Sequence, residues 1–478
     1  LEAAVKVDVV VVYVPRYARG HGRHFVPPLT GIHLAALTPP DIQVRVVHQQ
    51  AGPVDLDTDA DLVALSFFSG FAHEAFRLAD ALRARGKRVV AGGPHATFWP
   101  EEALQHCDAV VIGEAETVWV ELLRDAERGA LQRVYRGEAA PLSGLPTPRY
   151  DLLPDAFFVR RVIQATRGCP FSCSFCTVPG LQPGFRVRPV DEVLRDVAHE
   201  EPGWTWWQRR VAWFWDDNLT ARRAWTRQLL EGMVGMDRWW LTQASIDIAR
   251  DPALLDLMAR SGCIGVFLGI ESLHPGALQE AGKRQNRVSE YQRAIAAFHE
   301  RGICVMAGFI AGFDHDDAAG VVAMADQLQA LGVDVPFLSV LTPFRGTPLY
   351  ERLRDQDRLL LDRGWGHTNG YNVAFQPARM SPDELLEAHR ALWQRAFSPA
   401  HVARRLARSR ALSPGAAMMS TMMNGFYGGK RLLGNGPVDM RSRWAGAPMA
   451  EAVALGGGAL GGGALGGALL GGAAVAAK

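Results

Sequence analysis

The sequence predicts an α/β protein built from two parallel-sheet units. A doubly wound, Rossmann-like N-terminal domain is followed by a partial (β/α)6, TIM-like barrel and a mainly helical C-terminal cap. Three observations carry this reading. Short β-branched runs, too brief for helices and apolar enough to be buried on both faces, recur along the chain. They alternate with helical stretches of about a dozen residues, the pattern of parallel sheets covered by helices. The 478 residues, 48% of them hydrophobic, exceed what one ordinary core holds and suffice to fill two.

The first run is Val7 to Val14, VDVVVVYV. Val44 to Val47, Leu62 to Phe67, Arg88 to Ala91 and Ala109 to Ile112 read as further strands, with helices from His73 to Arg85 and Glu116 to Glu127. Ligands of such sheets sit beyond the carboxyl ends of the strands, where the sequence places Ser66, Gly92-Gly93-Pro94-His95 and Gly113-Glu114. This unit is assigned residues 1–140. The linker, 141–154, carries Pro141, Pro146, Pro148 and Pro154 and little periodicity.

A second alternation occupies 155–350. Its strands are expected at Arg161 to Gln164, Val211 to Trp215, Leu241 to Ser245, Val266 to Gly269, Cys304 to Phe309 and Phe337 to Thr342. Six strand-and-helix units argue for a barrel whose chemistry lies at the C-terminal strand ends. Residues 351–450 turn mainly helical, with a loop around Trp365 to Pro377, and 451–478 form a Gly/Ala/Leu tail. The tail's length and lack of charge permit a membrane span. Its glycine content favours a flexible segment instead, so membrane association is not expected.

A net charge of +1 offers no global field for nucleic acid or an acidic surface, which leaves a small or neutral substrate as the expectation. With no leader visible before the first strand, a cytoplasmic location is expected. Six cysteines in so long a chain do not make a disulfide framework. Cys107, Cys263 and Cys304 stand alone in apolar or helix-end contexts and read as buried, inert thiols.

The other three fall together in Arg167-Gly168-Cys169-Pro170-Phe171-Ser172-Cys173-Ser174-Phe175-Cys176. Thiolates spaced Cys-x-x-x-Cys-x-x-Cys on a tight loop can wrap one iron-sulfur cluster, and three ligands leave one iron of a 4Fe-4S cluster open. A zinc site completed by a distant histidine is the competing reading. On these residues the sequence resembles the radical S-adenosylmethionine (SAM) superfamily, in which the open iron is chelated by SAM. The resemblance places Phe175 against the adenine. It also assigns the SAM amino group to Asp217 and Asn218, which follow the second barrel strand, although the same residues suit a helix cap. Gln243 and Ser245 end the next strand and face the expected cavity. Gly269-Ile270-Glu271-Ser272 looks like the family's GxES segment, which puts Glu271 near the SAM ribose and carboxylate; the bland alternative is a solvated charge. Gly308-Phe309-Ile310-Ala311-Gly312 matches a G-x-I-x-G element flanking the adenine, and Leu341-Thr342-Pro343 the segment that closes that pocket. Asp314 and His315 stand where the family has a later glutamate.

The front-domain segments Gly92 to Thr97 and Asp108 to Glu116 resemble the cobalamin-binding domain fused to many members of the superfamily. Paired glycines let backbone approach a bulky ligand, and Ser66 offers a hydroxyl; an unliganded tight turn is the alternative. The Asp-x-His-x-x-Gly segment that supplies a cobalt-binding histidine is absent, with Val14 to Gly20 in its place. No histidine is therefore expected below the cobalt, and His95 is read as a loop contact or a corrin partner.

The resemblance implies a 4Fe-4S cluster, SAM and cobalamin as cofactors, and a reductant such as flavodoxin or ferredoxin as partner. It implies reductive cleavage of SAM to a 5'-deoxyadenosyl radical and methylation of an unactivated carbon of a small-molecule or lipid substrate. Radical ring closure without methyl transfer is the nearest rival, and a non-catalytic cobalamin or redox-sensing module a more distant one. Trp204, Trp206, Trp207, Trp213, Trp215, Trp239 and Trp240 either line an apolar substrate pocket or pack the core.

Overall fold

The computed structural model describes residues 5–14 and 26–432. The Val14 to Gly20 loop beyond Val14, the end of the expected helical region and the tail at 451–478 lie outside the described residues.

Six parallel strands form the front sheet: β1 (Lys6–Val11), β2 (Gln43–His48), β3 (Leu62–Ser66), β4 (Arg88–Gly92), β5 (Ala109–Gly113) and β6 (Val134–Gly137), in the order β2-β1-β3-β4-β5-β6. Alternation along β1 sends Val7 and Val9 into one apolar layer and Val10 into the other, so this run is buried on both sides. β6 was not anticipated. It is four residues long with one buried ring, Tyr135, and Arg136 exposed, too little apolar signal for a sequence reading.

The second sheet contains β7 (Arg161–Ile163), then β10 (Val211–Phe214), β11 (Trp239–Ala244), β12 (Cys263–Glu271), β13 (Cys304–Ala311) and β14 (Val335–Val340). A small antiparallel pair, β8 (Thr166–Arg167) and β9 (Arg186–Val187), is inserted after β7. The order β14-β13-β12-β11-β10-β7 is parallel throughout and leaves β7 and β14 as edges, an open barrel. β12 runs longer than expected and carries an irregularity between Gly269 and Glu271 where it pairs with β13.

Three helices, Pro382–Ala396, Pro399–Ser409 and Pro414–Leu432, form the C-terminal layer. The first opens with a capping box between Ser381 and Glu384. They close the barrel's outer side through His389 Nε2 on the Leu338 carbonyl (3.0 Å) and Asn424 Nδ2 on that of Asp334 (2.9 Å). Among the described residues no helix is long and apolar enough to cross a membrane.

Most of the tryptophans are structural. Trp204, Trp213 and Trp240 are buried in the barrel core, and Trp206, Trp207 and Trp239 cluster where β11 begins, the end opposite the ligand-bearing one. Trp215 alone of the seven faces the cleft between the domains, its Nε1 donating to the Pro27 carbonyl (3.0 Å).

Candidate cofactor site

The cysteine loop leaves the barrel directly after β7 and β8. Asp216, fully buried at the end of β10, accepts hydrogen bonds from the backbone of Ala165 (3.1 Å) and Thr166 and from Thr166 Oγ1 (2.7 Å), which pins the turn between those strands. Gly168 then turns with φ +81°, where a Cβ would collide with the Gly184 carbonyl. Farther along, Ser174 donates from its backbone to Ala281 O (2.9 Å) and from Oγ to Glu280 O (3.2 Å), and Leu349 N reaches Ser174 O (2.8 Å). The loop is thus held by β7, by the segment after β12 and by the segment after β14.

Within it, Cys169, Cys173 and Cys176 lie close enough for each thiol to feel the others' charge. Burial pushes Cys169 up to about 11 and raises Cys173 and Cys176 as well. Backbone N–H groups of Phe171 and Val178 and the Gln285 side chain oppose that rise at Cys169, Cys176 and Cys173 respectively. Sulfurs that are costly to ionise alone, yet already supplied with donors, suit ligands that become thiolates when a cationic cluster arrives. Among the described residues no three His, Cys, Asp or Glu side chains are grouped about one ion. An iron-sulfur cluster spreads its ligands more widely. Burial likewise pushes Cys107 up to about 12 and raises Cys263 and Cys304, none of which is among the groups that act on the three loop cysteines.

Beside Cys176 a small, mostly apolar cleft brings together Phe175, Glu271, Gly308, Ile310 and Thr342. A Cβ on Gly308 would meet the Phe267 ring at 2.9 Å, so glycine keeps that wall open. Gly312, by contrast, sits at φ +112° against Leu385 and Phe375, where it admits the C-terminal helix and is not among the residues lining this cleft. Asn218 does not cap the following helix, which begins at Arg223 after an Arg222 cap. It instead accepts from Thr220 Oγ1 (3.2 Å), while Asp217 contributes to raising Cys169 and Cys176. Gln243 Nε2 and Ser245 Oγ are buried without a hydrogen-bond partner at the end of β11, a polar demand that a ligand can meet.

Glu271 adopts φ +67°, uncommon for a non-glycine residue, and its buried carboxylate pairs with Lys283 Nζ at 2.7 Å. Lys283 also donates to Gly269 O (2.7 Å), and Asn286 Nδ2 to Gly269 O and Ile270 O, so the irregularity in β12 is fully bonded. Burial pulls the Lys283 ammonium down, but Glu271 and the nearby Cys173 outweigh it and hold it above the usual value. Sequence reasoning missed Lys283: a single lysine after a glycine, in a loop, carries no periodicity and no motif.

On the other side of the loop a second cleft, about 1310 Å³ counted to its open mouth, lies between the domains. Ser66, Gly92, Gly93, Pro94, Gly113 and Glu114 line it from the front sheet, and Gln164, Arg167 and Trp215 from the barrel. Gly93, at φ +88°, has Phe67 backbone and Ser66 Oγ about where a Cβ would go (3.0–3.1 Å). Apolar walls at carboxyl strand ends, glycine approach and this size suit a large corrinoid. His95 does not face the cleft. The helix Pro94–Phe98 turns its ring inward to Ser69 Oγ (3.1 Å from Nδ1), against Trp365 and within 3.4 Å of Glu102. Burial lowers its affinity for a proton. Glu114 has protein partners as well: Arg167 Nη1 at 2.6 Å and Arg186, while Glu116 takes Arg167 Nη2 (2.6 Å) and His33 Nε2 (3.1 Å).

Comparison with known proteins agrees with this layout. Residues 163–328 match the Radical SAM superfamily, residues 55–123 the B12 binding domain and residues 347–427 a domain of unknown function (DUF4070). The chain is 32% identical to a bacteriochlorophyllide d C-12(1)-methyltransferase of Chlorobaculum tepidum over 79% of this chain and 84% of the relative. It is 26% identical to a hopanoid C-2 methylase of Rhodopseudomonas palustris over 73% and 70%. An anaerobic magnesium-protoporphyrin IX monomethyl ester cyclase of Cereibacter sphaeroides is 25% identical over 72% and 60%. Among solved structures, the radical SAM methyltransferase TsrM of Kitasatospora setae, with cobalamin and a 4Fe-4S cluster bound, shares the fold with TM-score 0.62 at 17% identity, covering 83% of this chain and 90% of that one.

Proposed function

The chain belongs to the B12-binding radical SAM superfamily, as a cobalamin-dependent radical SAM C-methyltransferase, and from that premise we propose that it methylates an unactivated carbon of an apolar small-molecule or lipid substrate. The observation that carries the proposal is that one short loop, Gln164 to Cys176, borders both clefts: Gln164 and Arg167 line the interdomain cleft, and Phe175 and Cys176 the barrel cleft.

In this reading Cys169, Cys173 and Cys176 hold the cluster, and Asp217, Asn218, Gln243, Ser245, Glu271 and the apolar cleft beside Phe175 hold SAM. Ser66, Gly92, Gly93 and Gly113 admit the cobalamin. When bound, the cluster supplies the electron that cleaves SAM and the cobalamin carries the methyl group. The protein's own contribution is placement. It sets two cofactors on either side of one loop that three elements anchor, so that reacting atoms are held near one another and water is kept out by apolar walls. His95, which packs inside the front domain, has no part in this, and Gly312 serves packing.

The relatives' names point to tetrapyrrole and polycyclic lipid substrates, and the same chemical class is proposed here. The test is expression in a host that makes such compounds, followed by mass spectrometry of the extract and assay of the reconstituted enzyme on the candidate. A product heavier by one CH2, with 5'-deoxyadenosine formed, supports methylation. Formation of 5'-deoxyadenosine with no gain of CH2 replaces it by ring closure or rearrangement.

A further inference from the structure

The face of the barrel outside the cysteine loop is basic, and nothing in the cofactor chemistry accounts for it. Two sides of the loop are covered. Cys176 borders the apolar barrel cleft, and Cys169 follows Arg167, which the front-domain carboxylates Glu114 and Glu116 enclose. The side that reaches solvent is Pro170 and Ser172, both exposed. Gly282, also exposed, lies against this side, with its Cβ position 3.5 Å from the Ser172 carbonyl.

From Gly282 the chain continues along a shallow concavity through Lys283, Arg284 and Arg287, and a second hollow that shares Arg287 extends it to Arg250 and Arg293. Arg284 and Arg293 are exposed and make no ion pair among the described residues. Arg287 and Arg250 share a single acidic partner, Glu290 (3.2 Å and 2.6 Å). Four guanidinium groups thus face one carboxylate. Of the other acids, Glu280 is engaged by Arg352 (2.6 Å), and Glu300, which also lines the second hollow, is with Asp256 a partner of Arg301. On a chain whose net charge is +1, this is a local concentration of positive charge beside the exposed edge of the cluster loop. Beneath it, Gln285 and Lys283 lie beside Cys173, so the segment that carries Arg284 and Arg287 also borders the cluster loop.

Resting on the functional reading above, we infer that Arg284 and Arg287, with Arg250 and Arg293 behind them, form the docking surface for a small acidic one-electron carrier protein that reduces the cluster. The carrier is oxidised by one electron and the cluster reduced by one, with no bond made or broken. Uncompensated surface charge of this kind raises the rate of encounter with an oppositely charged partner and makes it sensitive to salt.

The test uses the full-length, cluster-reconstituted protein and its double variant Arg284→Glu/Arg287→Glu, with Arg85→Glu on the front domain as control. The probe is a flavodoxin. SAM cleavage is driven either by reduced flavodoxin or by dithionite, and binding of oxidised flavodoxin is measured separately at low ionic strength. The double variant is expected to cleave SAM at least about tenfold more slowly with flavodoxin, to bind it correspondingly more weakly, and to lose the salt dependence. With dithionite it is expected to match the wild type and to show the same cluster spectrum. Equal flavodoxin-driven rates and equal binding for double variant and wild type would overturn the proposal. Failure of wild type to cleave SAM with dithionite overturns the functional reading instead, and the binding measurement still decides whether the arginines recruit an acidic carrier.

Discussion

At the scale of single residues, the Glu271–Lys283 pair is where removal of one atom group should cost most. Both charges are buried, so the pair's net worth is small while the loss of either partner strands the other. Lys283→Met is therefore expected to destabilise the barrel by about 3–5 kcal/mol in chemical denaturation, and Lys283→Met combined with Glu271→Gln to recover most of it. A single-variant loss under about 1 kcal/mol would show that the two charges are solvated. Gly93→Trp makes a different demand. A side chain there meets Phe67 backbone and Ser66 and enters the interdomain cleft, so the variant should purify without corrin absorbance yet reconstitute iron like the wild type. Normal corrin retention would move the cobalamin elsewhere. The cysteine loop was legible because its ligands lie within eight residues. The pairings of Lys283 with Glu271 and of Arg167 with Glu114 were not: the partners are 12 and 53 residues apart, and no local pattern encodes such a pairing. Of the two readings of His95, the loop contact is the one the packing realises, with Ser69 Oγ as partner. The glycine pair before it does line the cleft, but a short helix beginning at Pro94 turns the next side chain inward, and rotation of that kind depends on tertiary packing.

At the scale of elements, the order of the strands follows from apolar runs that the sequence displays openly, whereas the ends of strands carry decisions it hides. β6 escaped notice for want of apolar residues, and β12 extends past its apolar stretch because Lys283 and Asn286 bond the irregular carbonyls at Gly269 and Ile270. Asp216 illustrates the same point with a testable consequence. It stands in a run of two aspartates and an asparagine read for SAM contacts, yet its carboxylate holds the β7–β8 turn that launches the cysteine loop. Asp216→Ala leaves buried N–H groups of Ala165 and Thr166 without acceptors, each loss worth about 1–3 kcal/mol. The expected outcome is a chain that keeps cobalamin but reconstitutes well below the wild-type iron content, because the loop's first anchor is gone. Full iron loading in that variant would mean that the Ser174 contacts alone suffice to hold the loop.

At the scale of the whole molecule, the two domains meet through groups whose protonation differs between the folded and unfolded chain. His48, at the end of β2, packs edge-on against Phe157 of the barrel domain, and burial lowers it to about 4, with neither ring nitrogen hydrogen-bonded. His389, beneath the C-terminal layer, is lowered to about 4 by burial as well. Unfolded, both rings return to a value near 6.5. Between roughly pH 6.5 and 4 the unfolded chain therefore binds protons that the folded chain refuses, and stability must fall as pH falls through that window. By pH 5 the loss is about 2 kcal/mol per ring. Glu116 acts in the same direction at lower pH. Burial would raise its carboxyl, but His33 and Arg167 hold it well below the usual range, so its contribution to the junction is present above the ordinary carboxylate value and lost beneath it. Because His48 sits at the junction and titrates within that window, mild acid should loosen the domains from each other before either unfolds. Proteolysis within residues 141–154 and thermal melts at pH 7.5 and 5 read this directly. Wild type should become cleavable and lose stability at pH 5, and His48→Phe should remove about 2 kcal/mol of that loss. A wild type equally stable at the two values would mean that neither buried ring refuses protons in this range, and a His48→Phe variant with the full acid sensitivity would place the pH-responsive contact away from this interface.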